Sequence, residues 1–334
     1  MTIEEIELAC DASEPLDFSR HALEGPELSH QEVYYPLGFP TVLRTNSPDI
    51  LLQAHELWSM FERRFDTKPI RVDVKVVEDD PEDPSPTPEF RVMRPLLIGV
   101  ANTSNYTIVN LDQRTVQVTL SQSVGKRSKY LECMLGTAPF CLIATQYATP
   151  IHAACVAFRG RGILLSGDSG AGKSSLAYAC ARAGWMYVSD DASFLIHDVE
   201  DRQVTGNCHR FRFRPSAVEL FPEVEGLTVE TFSPGKPSIE LPVSSMPGIT
   251  GTPTAEADFI VFLNRHLPGP PELVPYRKDV ARYFMRQVLH GTAESLAVQY
   301  AAIERLLKAE IFELRYSDLD WAVHRLEALA RDGH

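Results

Sequence analysis

Eight consecutive residues, Gly167-Asp168-Ser169-Gly170-Ala171-Gly172-Lys173-Ser174, match every fixed position of G-x-x-x-x-G-K-[ST], a pattern whose chemistry is phosphate binding. Glycines let the backbone curl so that successive N–H groups face inward, and the positive end of the following helix dipole adds to that field. Lys173 is then placed to meet the β- and γ-phosphates as a point charge, and the Ser174 hydroxyl suits Mg²⁺. The expected ligand is a polyphosphate, held by residues 167–174 and by Ser175, which opens the helix.

Two further features carry chemistry. Trp185-Met186-Tyr187-Val188-Ser189 reads as a strand that runs into Asp190-Asp191. Carboxylates at the carboxyl end of a strand beside a phosphate loop lie where a metal ion and an attacking hydroxyl must meet. Adjacent side chains on an extended backbone point opposite ways, so the pair can divide its labour, one toward the metal shell and the other toward an acceptor. His152 opens a strand, 152–158, that a tight turn at 159–162 folds back on the strand entering the glycine loop. Such a hairpin sets His152 near the γ-phosphate end of the loop.

Residues 152–191 resemble the catalytic core of the HPr kinase/phosphorylase family: a histidine, a loop of the form G-D-S-G-x-G-K-S and an Asp-Asp pair. His152 lies 21 residues before Lys173 and Asp191 18 after it, intervals that agree with the family. The resemblance implies a P-loop fold related to phosphoenolpyruvate carboxykinase and Mg²⁺-ATP-dependent phosphorylation of a protein serine. It implies Asp191 as general base, Lys173 and Ser174 on phosphate and metal, and His152 as partner of the aspartate; with Asp191 so assigned, Asp190 is expected as the aspartate of the metal shell, beside Ser174.

The resemblance covers about 40 residues and then fades. The family's Glu-Ile-Arg-Gly-Leu-Gly signature is absent. In its place stands His209-Arg210-Phe211-Arg212-Phe213-Arg214, whose arginines would share one strand face and suit a phosphate or a carboxylate. That departure puts the phosphorylase half of the activity in doubt, and the chain looks closer to divergent members, including those that phosphorylate peptides in lasso-peptide maturation. Arg277 is a candidate for the family's downstream arginine.

The elements that must position these residues follow from patterning. Ile163-Leu164-Leu165-Ser166 is an apolar strand feeding the loop, and 175–183 is a helix ended by Gly184. Ala257 to Leu263 is a buried strand, helical patterns cover 278–289 and 292–308, a strand covers 311–316 and a last helix reaches Ala330. Upstream, strands alternate at 41–44, 70–76, 90–93, 96–100, 106–109 and 115–120, with helices over 48–64 and 130–147. The proline- and acid-rich stretch 78–88 is an exposed loop. The expected organisation is an acidic N-terminal arm over 1–30, a mostly β, α+β domain for recognition or assembly over 31–150, and an α/β P-loop catalytic domain over 151–334.

The chain has 334 residues, net charge −13, 44% hydrophobic and 23% charged residues, which is ordinary globular composition for two domains. That balance disfavours a nucleic-acid surface or an anionic membrane as partner, while leaving room for a local basic groove. Six scattered cysteines form no C-x-x-C, so reduced thiols are expected rather than a zinc site. The acidic N-terminus lacks the pattern of a signal peptide, and a cytoplasmic protein is expected. Three function classes fit: first a serine kinase acting on a protein or peptide, then a small-molecule hydroxyl kinase, then a non-catalytic nucleotide sensor. The family's hexamers leave a homo-oligomer open.

Overall fold

The computed structural model describes residues 3–12, 27–79, 88–93, 95–125, 132–136, 138–199, 201–230, 237–265, 269–289 and 291–333. It is a mixed α/β chain in two compact units, Met1–Gln146 and Tyr147–Thr231 with Gly235–His334. The boundary falls before residue 150 because Ala148–Ile151 pairs antiparallel with Ser193–Ile196 of the second unit.

The first unit is a seven-stranded mixed sheet. Its strands are β1 (His30–Tyr34), β2 (Thr41–Thr45), β3 (Ile70–Val77), β4 (Glu89–Met93), β5 (Leu96–Asn102), β6 (Asn105–Asn110) and β7 (Thr115–Ser121), in the order β1-β2-β3-β7-β6-β5-β4. β2, β3 and β7 run parallel, and the crossover between β2 and β3 carries helix α2 (Pro48–Trp58). Helix α2 stops at Trp58 rather than at 64, because the Gly38 carbonyl takes the N–H groups of Arg64 and Phe65. The helical pattern expected over 130–147 is described as a π-type turn over Glu132–Gly136 and helix α3 (Ala138–Gln146), and most of the acidic loop 78–88 lies outside the described residues.

The expected N-terminal arm is corrected in part. Ile3–Ala12 is a helix, α1, and Ile3 and Ile6 are buried against Leu96, Ile98, Tyr106 and Ile108. Ile3, Ile6 and Ala9 share one face at helical spacing, while the acidic residues that mark the sequence as an arm occupy the rest of the helix. Residues 13–26 lie outside the described set.

The second unit is built on β8 (Ala148–Ile151), β9 (Ala153–Phe158), β10 (Arg161–Ser166), β11 (Met186–Ser189), β12 (Ser193–Ile196), β13 (Gln203–Gly206), β14 (Arg210–Phe213), β15 (Val229–Glu230), β16 (Ser238–Pro242), β17 (Thr250–Gly251), β18 (Thr254–Asn264), β19 (Glu272–Pro275) and β20 (Glu310–Arg315). β10, β18 and β20 run parallel; β9 lies antiparallel between β10 and β11, so β11 runs with β10. Arg159 and Gly160, both at positive φ (52° and 84°), form the two-residue β9–β10 turn that matches the right-handed strand twist.

Side chains alternate along β10. Ile163 and Leu165 face helices α4 (Lys173–Arg182) and α7 (Leu319–Asp332) through Leu176, Ala177 and Leu326. Leu164 faces the opposite layer, α5 (Lys278–Arg286) and α6 (Ala293–Leu306), through Met285, Ile303 and Leu306. A strand buried on both faces reads as a continuous apolar run, the pattern seen at 163–165. β14, β16 and β15 form a small separate sheet that packs Phe211 and Phe213 on Tyr178 of α4 and on Tyr187 of β11.

Among the described residues no helix is long and apolar enough to cross a membrane. Cys141, Cys155, Cys180 and Cys208 are free thiols, and burial pushes Cys141 up to about 11 and Cys155 up to about 12.

Because Ile6 is 1% exposed, Ile6→Ala should cost the first unit about 2–4 kcal/mol. The check is urea unfolding; a midpoint equal to that of the parent chain would mean that α1 is not part of the core.

Candidate functional site

The strand directions bring one end of the sheet to a common edge. The carboxyl ends of β10, β11, β18 and β20 meet the amino end of β9, with Ser166 of β10 opposite Ala153 of β9. The glycine loop follows β10, the aspartates follow β11, Arg265 follows β18, Tyr316 follows β20, and His152 precedes β9 in the bend after β8. Residues far apart in the chain therefore converge where open α/β sheets place their ligands.

The loop has the backbone that its glycines allow. Gly167, Gly170 and Gly172 have φ of 145°, 93° and 97°. At Gly172 a Cβ would come within 2.9 Å of the Tyr316 hydroxyl, so the loop rests on Tyr316 and any side chain there would lift it. A Cβ at Gly170 would meet nothing within 4 Å, because that residue borders the cleft. Gly172 caps α4, whose first-turn N–H groups have no acceptor within the helix and point at the loop.

The cleft in front of the loop encloses about 390 Å³ and is lined by His152, Ser169, Gly170, Gly172, Lys173, Ser174, Ser175 and Asp191, with Arg212, Arg214 and Arg265 among the residues around them. Gly167, Asp168 and Ala171 belong to the loop without lining the cleft; Ala171 is buried and its N–H donates to the Asp168 carbonyl at 3.0 Å.

Lys173 is buried, and its ammonium donates to the carbonyls of Gly167 (2.8 Å) and Asp168 (3.2 Å) and to His152 Nε2 (3.1 Å). An ammonium has only protons to give, so Nε2 accepts and the imidazole proton sits on Nδ1. Nδ1 faces Asp191 Oδ1 at 3.6 Å. Burial lowers the His152 pKa, the Lys173 charge lowers it further, and Asp191 works in the opposite direction. His152 is thus a neutral imidazole between an ammonium and a carboxylate. Burial also lowers the Lys173 pKa, opposed by Asp191 and Asp168 and assisted by the positive charge of Arg214.

The aspartate pair divides its labour differently from the expectation. Asp191 lines the cleft, with its side chain 65% exposed, whereas Asp190 does not line it. Asp190 is half-buried, and its carboxylate Oδ2 accepts the backbone N–H of Arg212, which ties the end of β11 to β14. Burial pushes Asp190 up to about 7, with Asp191 adding to the rise and the Arg212 N–H opposing it. Asp190 enters the cleft edge through its carbonyl, which accepts from the Ser174 hydroxyl at 3.4 Å.

The fit to Mg²⁺ follows from this donor set. Among the described residues no three His, Cys, Asp or Glu side chains form a cage. Mg²⁺ bound with phosphates asks less of a protein, one or two oxygen ligands, and the Ser174 hydroxyl and the Asp191 carboxylate border the same cleft. Asp190, held by β14, is not placed as a ligand.

The expected arginine face holds: Arg210 and Arg212 alternate with buried Phe211 and Phe213, and Arg214 continues the alternation. Arg210 is bound to Glu240 at 2.8 Å and Arg212 Nε to the Ser238 hydroxyl at 3.0 Å, while Arg214 Nη2 donates to the Ser169 hydroxyl at 3.2 Å. Arg277 is exposed, paired with Asp279 and outside the cleft lining. Arg265, to which the sequence reading assigns no chemistry, lines the cleft with its guanidinium 5.7 Å from the Tyr316 ring. Its only sequence signal is its position directly after a buried parallel strand.

The Asp190 environment gives a measurable sign. Its folded pKa lies above the ordinary carboxylate value, so between about pH 4 and pH 7 the folded state holds more protons than the unfolded chain. This contribution stabilises at low pH and is lost as pH rises through about 7. Asp190→Asn keeps an acceptor oxygen for the Arg212 N–H and should flatten the fall in stability of the nucleotide-free protein between pH 5 and 8. Denaturant midpoints across that range check it; an identical slope in the variant would contradict the raised carboxyl pKa.

No family model matches the chain, and no curated protein matches it. Among solved structures the chain is similar to the HPr(Ser) kinase/phosphatase from Coxiella burnetii, with 15% sequence identity, 55% of this chain and 95% of that chain covered, and a TM-score of 0.31. At that score the likeness assigns no activity, and what this chain shows is the mixed α/β frame with the glycine loop at its edge.

Proposed function

We propose that the chain is a Mg²⁺- and ATP-dependent kinase that transfers the γ-phosphoryl group to a hydroxyl, that of a serine in a protein or peptide. The observation that carries this reading is the Lys173–His152–Asp191 row at the mouth of the loop, with contacts of 3.1 and 3.6 Å. A site that only bound nucleotide would need the loop and the lysine. An exposed carboxylate held beside the phosphate end by a neutral imidazole is an addition that suits proton transfer.

The roles follow from the groups. The loop N–H groups and Lys173 hold the phosphates, and the lysine exchanges the carbonyls of Gly167 and Asp168 for phosphate oxygens. Mg²⁺, held by Ser174 and Asp191, would neutralise phosphate charge. As the acceptor oxygen bonds to the γ-phosphorus, the bond from that phosphorus to the β–γ bridging oxygen breaks. Its electron pair leaves with ADP, and the acceptor proton passes to Asp191. His152, hydrogen-bonded to the Asp191 backbone and with Nδ1 3.6 Å from Oδ1, keeps that residue in place. Positioning and charge neutralisation supply most of the rate in such transfers.

Asp191→Asn should lower transfer by about 10²–10⁴-fold and Lys173→Ala by at least about 10²-fold, with both variants folded. The test is transfer from γ-labelled ATP with Mg²⁺ into the polypeptide and metabolite fractions of a lysate of the source cells. Label in a polypeptide serine that vanishes in Asp191→Asn supports the reading. Label confined to metabolites replaces it with a small-molecule kinase, and tight ATP binding without any transfer replaces it with a sensor.

A further inference from the structure

We propose that Arg214 is the guanidinium that meets the charge developing on the transferred phosphoryl group. This inference rests on the kinase reading and adds a catalytic residue to it.

The backbone fixes where Arg214 can reach. Phe213, the last residue of β14, is 2% exposed and locked among Tyr178 and Phe221, and Pro215 begins a 3₁₀ turn. A residue before proline is restricted to extended conformations, and Arg214 has φ −72° and ψ 153°. From this anchored position the guanidinium donates to the hydroxyl of Ser169, third residue of the glycine loop, at 3.2 Å. Arg265 stands at the other end of the loop, with Cδ 3.3 Å from the place a Cβ of Gly172 would take. Arg214 is therefore the cleft arginine at the tip of the loop, on the side of the cleft that also holds the Ser169 and Gly170 backbone.

Charge separates Arg214 from the two arginines before it on the same strand face. Arg210 and Arg212 share Glu240 as a counter-ion, at 2.8 and 3.8 Å. Among the described residues no carboxylate comes within ion-pair distance of Arg214. It is close enough to Lys173 to lower the lysine's pKa. Two cations converging on one cleft, with a single hydroxyl as acceptor for the arginine, are a repulsive arrangement that a polyanion relieves. The bond to Ser169 is neutral and easily exchanged, whereas a phosphoryl group passing through its transition state spreads negative charge over equatorial oxygens that a planar fork can grip.

The same strand links this arginine to the base. The Asp190 carboxylate holds the Arg212 N–H, two residues before Arg214, and Asp191 follows Asp190 directly. One tether therefore sets the proton acceptor and the guanidinium on a common frame.

The test uses two ligands of the full chain, Mg·ADP and Mg·ADP with aluminium fluoride, a mimic of the transferring group. In Arg214→Ala the affinity for Mg·ADP should stay within about threefold of the parent, while that for the fluoride complex falls at least about thirtyfold. Arg214→Lys should restore little, because a point charge lacks the fork. Arg214→Gln, with much of the stem retained, serves if the alanine variant is poorly folded, and Arg277→Ala should change neither affinity. Equal weakening of both ligands would make Arg214 a ground-state nucleotide contact. Unchanged binding of both, with a raised acceptor KM, would make it an acceptor anchor. Full rescue by lysine would reduce it to a general cation. Each of these overturns the proposal while leaving the kinase reading in place. A parent chain that binds no Mg·ADP removes that reading and the inference with it.

Discussion

The hydrogen bond from the Arg212 backbone to the Asp190 carboxylate is the constraint on which the site depends. It joins the end of a strand in the large sheet to a strand of the small one, and residues following both strands line the same cleft as the glycine loop. Burying a carboxylate is costly unless its oxygens are hydrogen-bonded, and at Asp190 burial outweighs the backbone N–H groups of Arg212 and of Asp190 itself, so its pKa stays raised, to about 7. The cost is local to one residue. Its effect is to commit Asp190 to structure and leave Asp191 as the carboxylate that faces the cleft.

The aromatic packing under β14 makes that tether rigid. Tyr178, Phe211, Phe213 and Phe221 meet edge to face, stacked or tilted at centroid distances of 4.8–5.9 Å, and Tyr178 belongs to the helix that the glycine loop opens. A shift of β14 would therefore disturb the loop helix as well as the arginines. The alternation that buries the phenylalanines is what turns the arginines outward.

Much of this was legible in the sequence where the signal is contiguous. The glycine loop, its feeding strand and its helix are one unbroken run, and the 159–162 turn announces the hairpin that carries His152 to the loop. The arginine alternation at 210–214 was equally plain. The division between Asp190 and Asp191 was not, because it depends on which side chain finds a backbone N–H on a strand some twenty residues away. Arg265 and Tyr316 enter the site only through strand order: each follows a strand parallel to β10, and parallel neighbours distant in sequence leave no local mark. Helix α1 was hidden by composition, since a narrow apolar stripe of Ile3, Ile6 and Ala9 is diluted by the glutamates around it.

The electrostatics of the cleft run against those of the chain. A protein of net charge −13 gathers Lys173, Arg212, Arg214 and Arg265 around one cleft, with Asp191 as the carboxylate among its lining residues. Global charge sets which large surfaces the protein meets, while a walled cleft focuses the field of the few charges inside it. Lys173 endures this crowding because the loop lends it two carbonyls and His152 lends it a lone pair. Those acceptors occupy the role that phosphate oxygens would take under the proposed function, so entry of a polyphosphate would exchange one set of hydrogen bonds for another and relieve the cation repulsion. The histidine gives the row its direction: its lone pair is turned to the lysine, and its Nδ1 side is turned to Asp191, whose backbone accepts from it and whose carboxylate lies 3.6 Å away.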